Sequence, residues 1–135
     1  MAKASRIKAL SFSLPNTAGQ LAKVSEQVAE AKLEITALCA MDAGTAAEFL
    51  LVSDSAAKAR KALASLGVEI REEEAVRIDL TNKPGRLYKV TRKLADAGIN
   101  IRRSWATAFG GKTASCVLMT SDDAKAVSIV NAKKR

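Results

Sequence analysis

The sequence contains no histidine among its 135 residues. This absence excludes a histidine general base, a histidine metal ligand and a histidine pH switch. The two cysteines, Cys39 and Cys116, are too few for a paired-cysteine metal site or a disulfide framework. Both lie in apolar, strand-like runs, so we expect buried free thiols. We therefore expect no metal, no cofactor and no enzymatic activity.

Aromatic residues are scarce as well, at 4% of the chain, so we expect a core of Ala, Val, Leu and Ile. Hydrophobic residues make up 48% and charged residues 27%, a balance typical of globular domains. Apolar runs such as residues 49–52 fall far short of the ~20 residues that cross a bilayer. The N-terminus lacks the apolar stretch of a signal peptide. These features predict a cytoplasmic protein with no membrane contact.

One turn occurs twice in the chain. Asn-Lys-Pro-Gly-Arg-Leu begins at Asn82, and Asn-Thr-Ala-Gly-Gln-Leu begins at Asn16, 66 residues earlier (82 − 16). Each turn follows an alternation of apolar and polar residues, which is the period of a half-buried strand. Each also opens a segment whose apolar residues have helical spacing. A unit that recurs in the same order indicates a duplicated domain.

Both copies have the pattern of a strand, a helix, two strands joined by a hairpin, and a second helix. Copy one adds a short fourth strand at residues 68–70, whereas residues 133–135 stand at the corresponding place in copy two. We therefore expect an open sheet edge in copy two, which is a natural site for pairing with another chain. The predicted domains are residues 6–72 and 75–132, followed by a basic tail at 133–135.

The predicted fold class is α+β, with two ferredoxin-like βαββαβ units. Each unit has an antiparallel sheet with its helices on one face, and the second unit lacks a full last strand.

The sequence of the turn in copy two resembles that of a known family. Asn-x-Pro-Gly-x-Leu, followed by a helix ending in Ala-Asp-Ala-Gly-Ile-Asn-Ile at residues 95–101, closely resembles the start of ACT domains. These are small regulatory modules of amino-acid-controlled enzymes. Residues 7–132 are similar to freestanding bacterial proteins made of two ACT domains. Copy one departs from the motif, with Ala18 in place of the proline and Ala-Lys-Leu-Glu-Ile at residues 31–35.

The resemblance implies an amino-acid-binding regulatory protein that pairs side by side, hence a homodimer, and acts on a regulated enzyme. In the family, the amino acid lies near the first turn, at an interface between modules. Carried onto copy two, the ligand-binding residues are Asn82, Pro84, Gly85, Arg86, Leu87, Asn100 and Ile101. The weaker candidates in copy one are Asn16, Ala18, Gly19, Gln20 and Leu21.

The residue types of the turn are consistent with two interpretations. Glycine lets a ligand approach the backbone, and the N–H groups of a helix N-terminus suit a carboxylate. The same residues are also typical of a tight turn with no ligand. Both interpretations stay open for copy two, and we favour the plain turn for copy one.

The net charge of +8 is concentrated in copy two. Residues 1–72 hold 9 Lys and Arg against 8 Asp and Glu, whereas residues 73–135 hold 13 against 6. Arg86, Lys89 and Lys93 have helical spacing, which would suit a nucleic-acid-binding surface. No aromatic residues are interleaved for base stacking, so we favour a solvated helix face. Nucleic-acid binding, or oligomerisation without any ligand, remains the alternative function.

Three shorter features of the chain have local interpretations. Residues 109–112, Phe-Gly-Gly-Lys, are expected to form a hairpin turn because they lack the spacing of a phosphate-binding loop. The run Glu-Glu-Glu at residues 72–74 is expected to be an exposed linker between the copies. Trp105 can be either part of the core or an interface anchor.

Overall fold

The protein is described by a computed structural model that covers residues 2–108 and 110–132. The elements follow one another as β1 (Ala2–Pro15), α1 (Gln20–Glu30), β2 (Ile35–Ala43), β3 (Ala46–Ser53), α2 (Ala56–Leu63), β4 (Arg71–Thr81), α3 (Arg86–Asp96), β5 (Ile101–Thr107), β6 (Thr113–Thr120) and α4 (Asp123–Asn131). A 3-10 turn, Ala64–Leu66, follows α2. The predicted α+β class with ferredoxin-like units is confirmed.

The chain divides into two compact units, and two long strands contribute to both. The N-terminal unit is Lys8–Glu73, and the C-terminal unit consists of residues 2–7 together with residues 74–108 and 110–132. Strand β1 therefore begins in the C-terminal unit and ends in the N-terminal unit, and β4 does the reverse. No local pattern in the sequence indicates that residues 2–7 belong with copy two.

In the C-terminal unit, the strand order is β1-β4-β6-β5. Strands β4 and β6 pair antiparallel, with Val76 opposite Leu118. No strand follows α4 in the described residues, but the expected open edge beside β4 is absent because residues 2–7 of β1 occupy that position. A strand of 14 residues is long enough to serve both units. The outer strand of this unit is β5.

In the N-terminal unit, the strand order is β2-β3-β1-β4. Residues 68–70 are not a strand, contrary to expectation, and the fourth strand begins at Arg71 instead. The expected linker at residues 72–74 is likewise wrong, because these glutamates lie in β4. Within this unit, the Glu72 carboxylate oxygens lie 3.9 Å from Lys8 Nζ and 3.9 Å from Arg60 Nη1. The acidic run therefore faces basic side chains of its neighbours.

Each unit packs its two helices on one face of its strands. The core of the C-terminal unit is aliphatic apart from a thiol: Ala4, Val76, Ile78, Leu80, Val90, Leu94, Ile99, Cys116, Leu118, Ala126 and Val130. The N-terminal core differs from the aliphatic expectation because Phe12 and Phe49 lie opposite each other on β1 and β3. Their rings stack with centroids 5.2 Å apart. Within the described residues, no helix is both long and apolar enough to cross a membrane.

The two cysteines differ in burial. Cys116 lies in β6 and is buried, as expected, and burial raises its pKa to about 11. Cys39 is only half-buried, contrary to expectation, because β2 is an outer strand. Trp105 is half-buried in β5, and its indole N–H is enclosed without a hydrogen-bond partner in the described part of the chain. Residues 110–112 lie between β5 and β6, whereas Phe109 and the tail at 133–135 lie outside the described residues.

Candidate functional site

The turn that begins at Asn82 joins β4 to α3 and is tied to the β5–β6 hairpin. The Asn82 side-chain amide donates a hydrogen bond to the Gly111 carbonyl at 2.9 Å, and its backbone N–H donates to the Lys112 carbonyl at 2.9 Å. Gly85 precedes α3 with a φ of 84°, in the left-handed region that favours glycine. These bonds give the asparagine and the glycine a role in folding.

The turn of copy one is held in the same way. The Asn16 side-chain amide donates to Asp42 Oδ1 at 2.8 Å and to the Gly44 carbonyl at 3.0 Å. Its backbone N–H donates to the Thr45 carbonyl at 2.9 Å. Folding alone therefore accounts for the recurrence of the asparagine, so recurrence by itself is no evidence for a ligand.

The two turns differ at the first residue of the helix. Gln20 is 8% exposed, and its side-chain amide donates to the Pro15 carbonyl at 3.0 Å and to Thr17 Oγ1 at 3.1 Å. The glutamine thus folds back over its own turn. Arg86 occupies the equivalent position in copy two and is half-buried, with no bond of this kind among the described residues. The turn at Asn82 is therefore the more open of the two.

The beginning of α3 has backbone donors that no side chain caps. The Arg86 N–H donates to the Lys83 carbonyl at 3.3 Å, but no side chain in the described residues caps α3. Helix α1 likewise lacks a side-chain cap, whereas Asp122 caps α4 through the backbone N–H of Lys125. The first N–H groups of an uncapped helix need a partner from outside the helix. Leu87 and Tyr88, which follow Arg86, are 43% and 67% exposed. The turn therefore offers N–H donors beside an exposed apolar surface.

Asn100 and Ile101 lie at the other end of the same unit. The Asn100 backbone N–H donates to Ser121 Oγ at 3.0 Å. Strand β6 runs from Thr113, opposite Thr81, to Thr120, opposite Ile101. Seven strand steps span about 23 Å. One unit therefore does not bring Asn82 and Asn100 together.

A shallow hollow of about 400 Å³, here called the α3 flank, lies between α3 and the outer strand β5. Its lining includes Tyr88, Thr91, Ala95, Ile99, Asn100 and Ile101. Among the predicted site residues, it includes Asn100 and Ile101, whereas Arg86 lines a separate hollow. The predicted set is thus spread over three places: the turn, the α3 flank and the second hollow.

Tyr88, which lines the α3 flank, was not identified from the sequence as a site residue. Leu87 was predicted to bind the ligand, and it is exposed because only Val90 and Leu94 of α3 reach the core. Leu87 does not line the α3 flank. A large aromatic residue off the apolar stripe is the signal that could have found Tyr88.

Comparisons with known proteins agree with this architecture. The family described as "ACT domain pair" matches residues 5–135. Protein BT0572 from Bacteroides thetaiotaomicron has a similar crystal structure, with a TM-score of 0.85 and 28% identity over 93% of this chain and 87% of that chain.

The ligand-free regulatory subunit of aspartate kinase from Thermus thermophilus is similar with a TM-score of 0.70 and 16% identity, over 96% of this chain and 93% of that chain. The corresponding subunit from Thermus flavus gives 0.63 and 19%, over 96% and 94%. At these identities the likeness is one of fold. No curated protein sequence matches this chain.

Proposed function

Because the chain belongs to the family of ACT domain pairs, we propose that it is a regulatory protein, not an enzyme, that binds a small amino acid between two C-terminal units of a homodimer. One observation carries the proposal: the Asn82 turn before the uncapped α3 lacks the side-chain cover that Gln20 gives to the equivalent turn of copy one. A regulated enzyme is the partner that such a module requires.

The ligand chemistry follows from the groups at the turn. The uncapped N–H groups of α3 suit the carboxylate of an amino acid, since they carry partial positive charge. The side-chain nitrogen of Asn82 donates to the Gly111 carbonyl. The side-chain carbonyl oxygen of Asn82 is left to accept from the ammonium group of the amino acid. The absence of a side chain at Gly85 leaves open space beside the backbone. A small zwitterion matches this arrangement of donors and acceptors.

Pairing of two β5 strands would bring both halves of the predicted site together. Strand β5 is the outer strand of the C-terminal unit, so one of its edges is free to pair. In a two-fold antiparallel pair, the start of β5 in one copy lies beside the end of β5 in the other. Asn100 of one copy would then approach the Asn82 turn of its partner. Within one unit this approach is impossible, because about seven strand steps, or about 23 Å, separate Asn82 from Asn100.

Regulation then needs no chemistry within the chain. An amino acid that contacts both copies binds the paired state better than the separated units, so it stabilises that pairing. A partner enzyme that recognises only one pairing state would sense the ligand through this difference.

A thermal-shift screen of the twenty amino acids tests the proposal. One or a few amino acids should stabilise the protein, by about 2.7 kcal/mol at a hundredfold excess over the dissociation constant. The Asn82→Ala and Asn100→Ala variants should each lose the response, whereas Asn16→Ala, which removes the matching turn bonds of copy one, should keep it.

Mixing the two inactive variants tests the shared site. A heterodimer of Asn82→Ala and Asn100→Ala retains one site with both asparagines intact, so the mixture should recover part of the ligand response. Flat melting temperatures with all twenty amino acids would contradict ligand binding. A response that mixing does not restore would contradict the shared site.

A further inference from the structure

A second hollow of about 320 Å³ lies on the C-terminal unit, against α3, the end of α4 and the start of β1. We call it the basic hollow. Its apolar floor consists of Ala2, Leu80, Val90 and Val130. Four cations also line it: Arg92 and a group of three, Arg86, Lys89 and Lys93. The hollow thus combines an apolar floor with positive charge.

The three cations are arranged along one side of α3. Arg86, Lys89 and Lys93 are spaced at i, i+3 and i+7, so they lie on one helix face. Arg92 also lines the hollow, but its guanidinium lies 2.6 Å from Asp96. In the described part of the chain, Asp96 is the only carboxylate in the lining. The positive charge of the other three side chains therefore has no counterpart in the hollow.

The first copy shows that the fold does not require these charges. The equivalent positions on α1 are Gln20, Lys23 and Gln27, so only one of the three is a cation. Gln20 is buried over its own turn, whereas Arg86 extends to the hollow. Both helices nevertheless pack against their cores through apolar residues at two equivalent positions, which are Val24 and Val28 in α1 and Val90 and Leu94 in α3.

We propose that the basic hollow binds a small amphipathic anion, with an apolar body of about eight carbons and one carboxylate or phosphate head group. A water occupies about 30 Å³ in the liquid, so the hollow has the volume of about ten waters, which suits a molecule of this size. Its body would cover the apolar floor, and its head group would lie among the three cations. The lining of the basic hollow contains neither Asn82 nor Asn100, the two asparagines of the proposed amino-acid site.

Four eight-carbon probes with different head groups test the ligand class. Octanoate and octyl phosphate should bind saturably in calorimetry and shift the amide NMR signals of Val90 and Val130. Octylamine should not bind, because its charge is repelled, and octanol should bind more weakly than either anion. The two anions compared with each other show whether the site prefers a carboxylate or a phosphate. Octanol or octylamine binding as tightly as octanoate, or no saturable binding of either anion, would overturn the proposal.

A matched pair of surface variants tests the site. The double variant Lys89→Gln/Lys93→Gln should weaken octanoate binding by about twofold to thirtyfold, the range expected for two partly exposed ion pairs. Lys23→Gln, at the position of copy one equivalent to Lys89, should leave the affinity unchanged. Unchanged affinity in the double variant, or an equal loss in the Lys23 control, would overturn the assignment. Octanoate binding that persists in Asn82→Ala separates this site from the amino-acid site.

Discussion

A single backbone conformation distinguishes the two copies at the end of their first helices. Lys32 has a φ of 57°, and Gly98, at the equivalent position in copy two, has a φ of 75°. In this left-handed region, a side chain collides with the backbone, and glycine avoids the collision. The N-terminal unit therefore adopts with a lysine the conformation that the C-terminal unit adopts with a glycine.

Exchange of these two residues should change stability in opposite directions. Lys32→Gly should raise the free energy of unfolding by about 0.5–1 kcal/mol, because relief of the left-handed strain exceeds the added entropy of the unfolded chain. Gly98→Lys should lower it by about 1 kcal/mol. Urea denaturation measures both changes. A loss of stability in Lys32→Gly would show that the lysine side chain stabilises this turn by contacts that outweigh the strain.

Cys116 should make stability depend on pH in the alkaline range. Burial raises the pKa of this thiol from 9.0 to about 11, so the folded state holds the proton more tightly than the unfolded state. The stabilisation is complete below about pH 9 and is lost as the pH rises through about 11. Cys116→Ala should flatten the fall in melting temperature over this range. An unchanged slope in the variant would assign the fall to other groups.

At the scale of elements, the last residue of α4 forms hydrogen bonds with the backbone of β1. The Asn131 side chain accepts from the Ala4 backbone N–H at 2.8 Å and donates to the Ala4 carbonyl at 2.8 Å. Ala4 is 4% exposed, so water has little access to either group. A helix residue thus takes the place of a neighbouring strand.

Removal of this side chain should destabilise the C-terminal unit. Asn131→Ala leaves two buried backbone groups of Ala4 without partners, at a cost of about 1–3 kcal/mol in the free energy of unfolding. Hydrogen exchange at the Ala4 amide should also become faster. Ser128→Ala, an exposed change on the same helix, is the control and should be nearly neutral. Equal effects of the two substitutions would show that the paired bonds contribute little.

At the scale of the molecule, β2 and β5 are the two outer strands, so each offers an edge for pairing with another copy. Each of these strands has a register irregularity near its start. The α3 flank adjoins β5, and Ala95 on it is small and exposed, as is Ala29 at the equivalent position of α1. Association through β5 and association through β2 can therefore be separated by one pair of substitutions.

The proposed homodimer should respond to a charge on only one of the two helices. Ala95→Glu places a carboxylate in the α3 flank and should yield a monomer at micromolar concentration, because burial of this charge between two copies carries a desolvation cost. Ala29→Glu should leave the dimer intact. Light scattering after size-exclusion chromatography measures both masses. The reverse pattern would assign the interface to β2, and a wild-type monomer would contradict the dimer.

Local pattern in the sequence was sufficient to predict the duplicated order of elements. Alternating residues such as Leu10, Phe12 and Leu14 and helical spacing such as Val24 and Val28 report burial over a few residues, and both patterns recur in copy two. The turn at Asn82 was also identifiable, because its glycine and asparagine have strong local preferences. These features depend on residues that lie close together in the chain, so the sequence by itself determines them.

Tertiary structure alone decided which segments act together. Residues 2–7 carry alanines but few large apolar residues, so no local pattern predicts their place beside β4, some 70 residues away. The separation of Asn82 from Asn100 follows from strand direction, and the burial of Gln20 follows from its bonds to Pro15 and Thr17. Periodicity reports which face of an element is buried, whereas the choice of its partner depends on contacts between residues far apart in the chain.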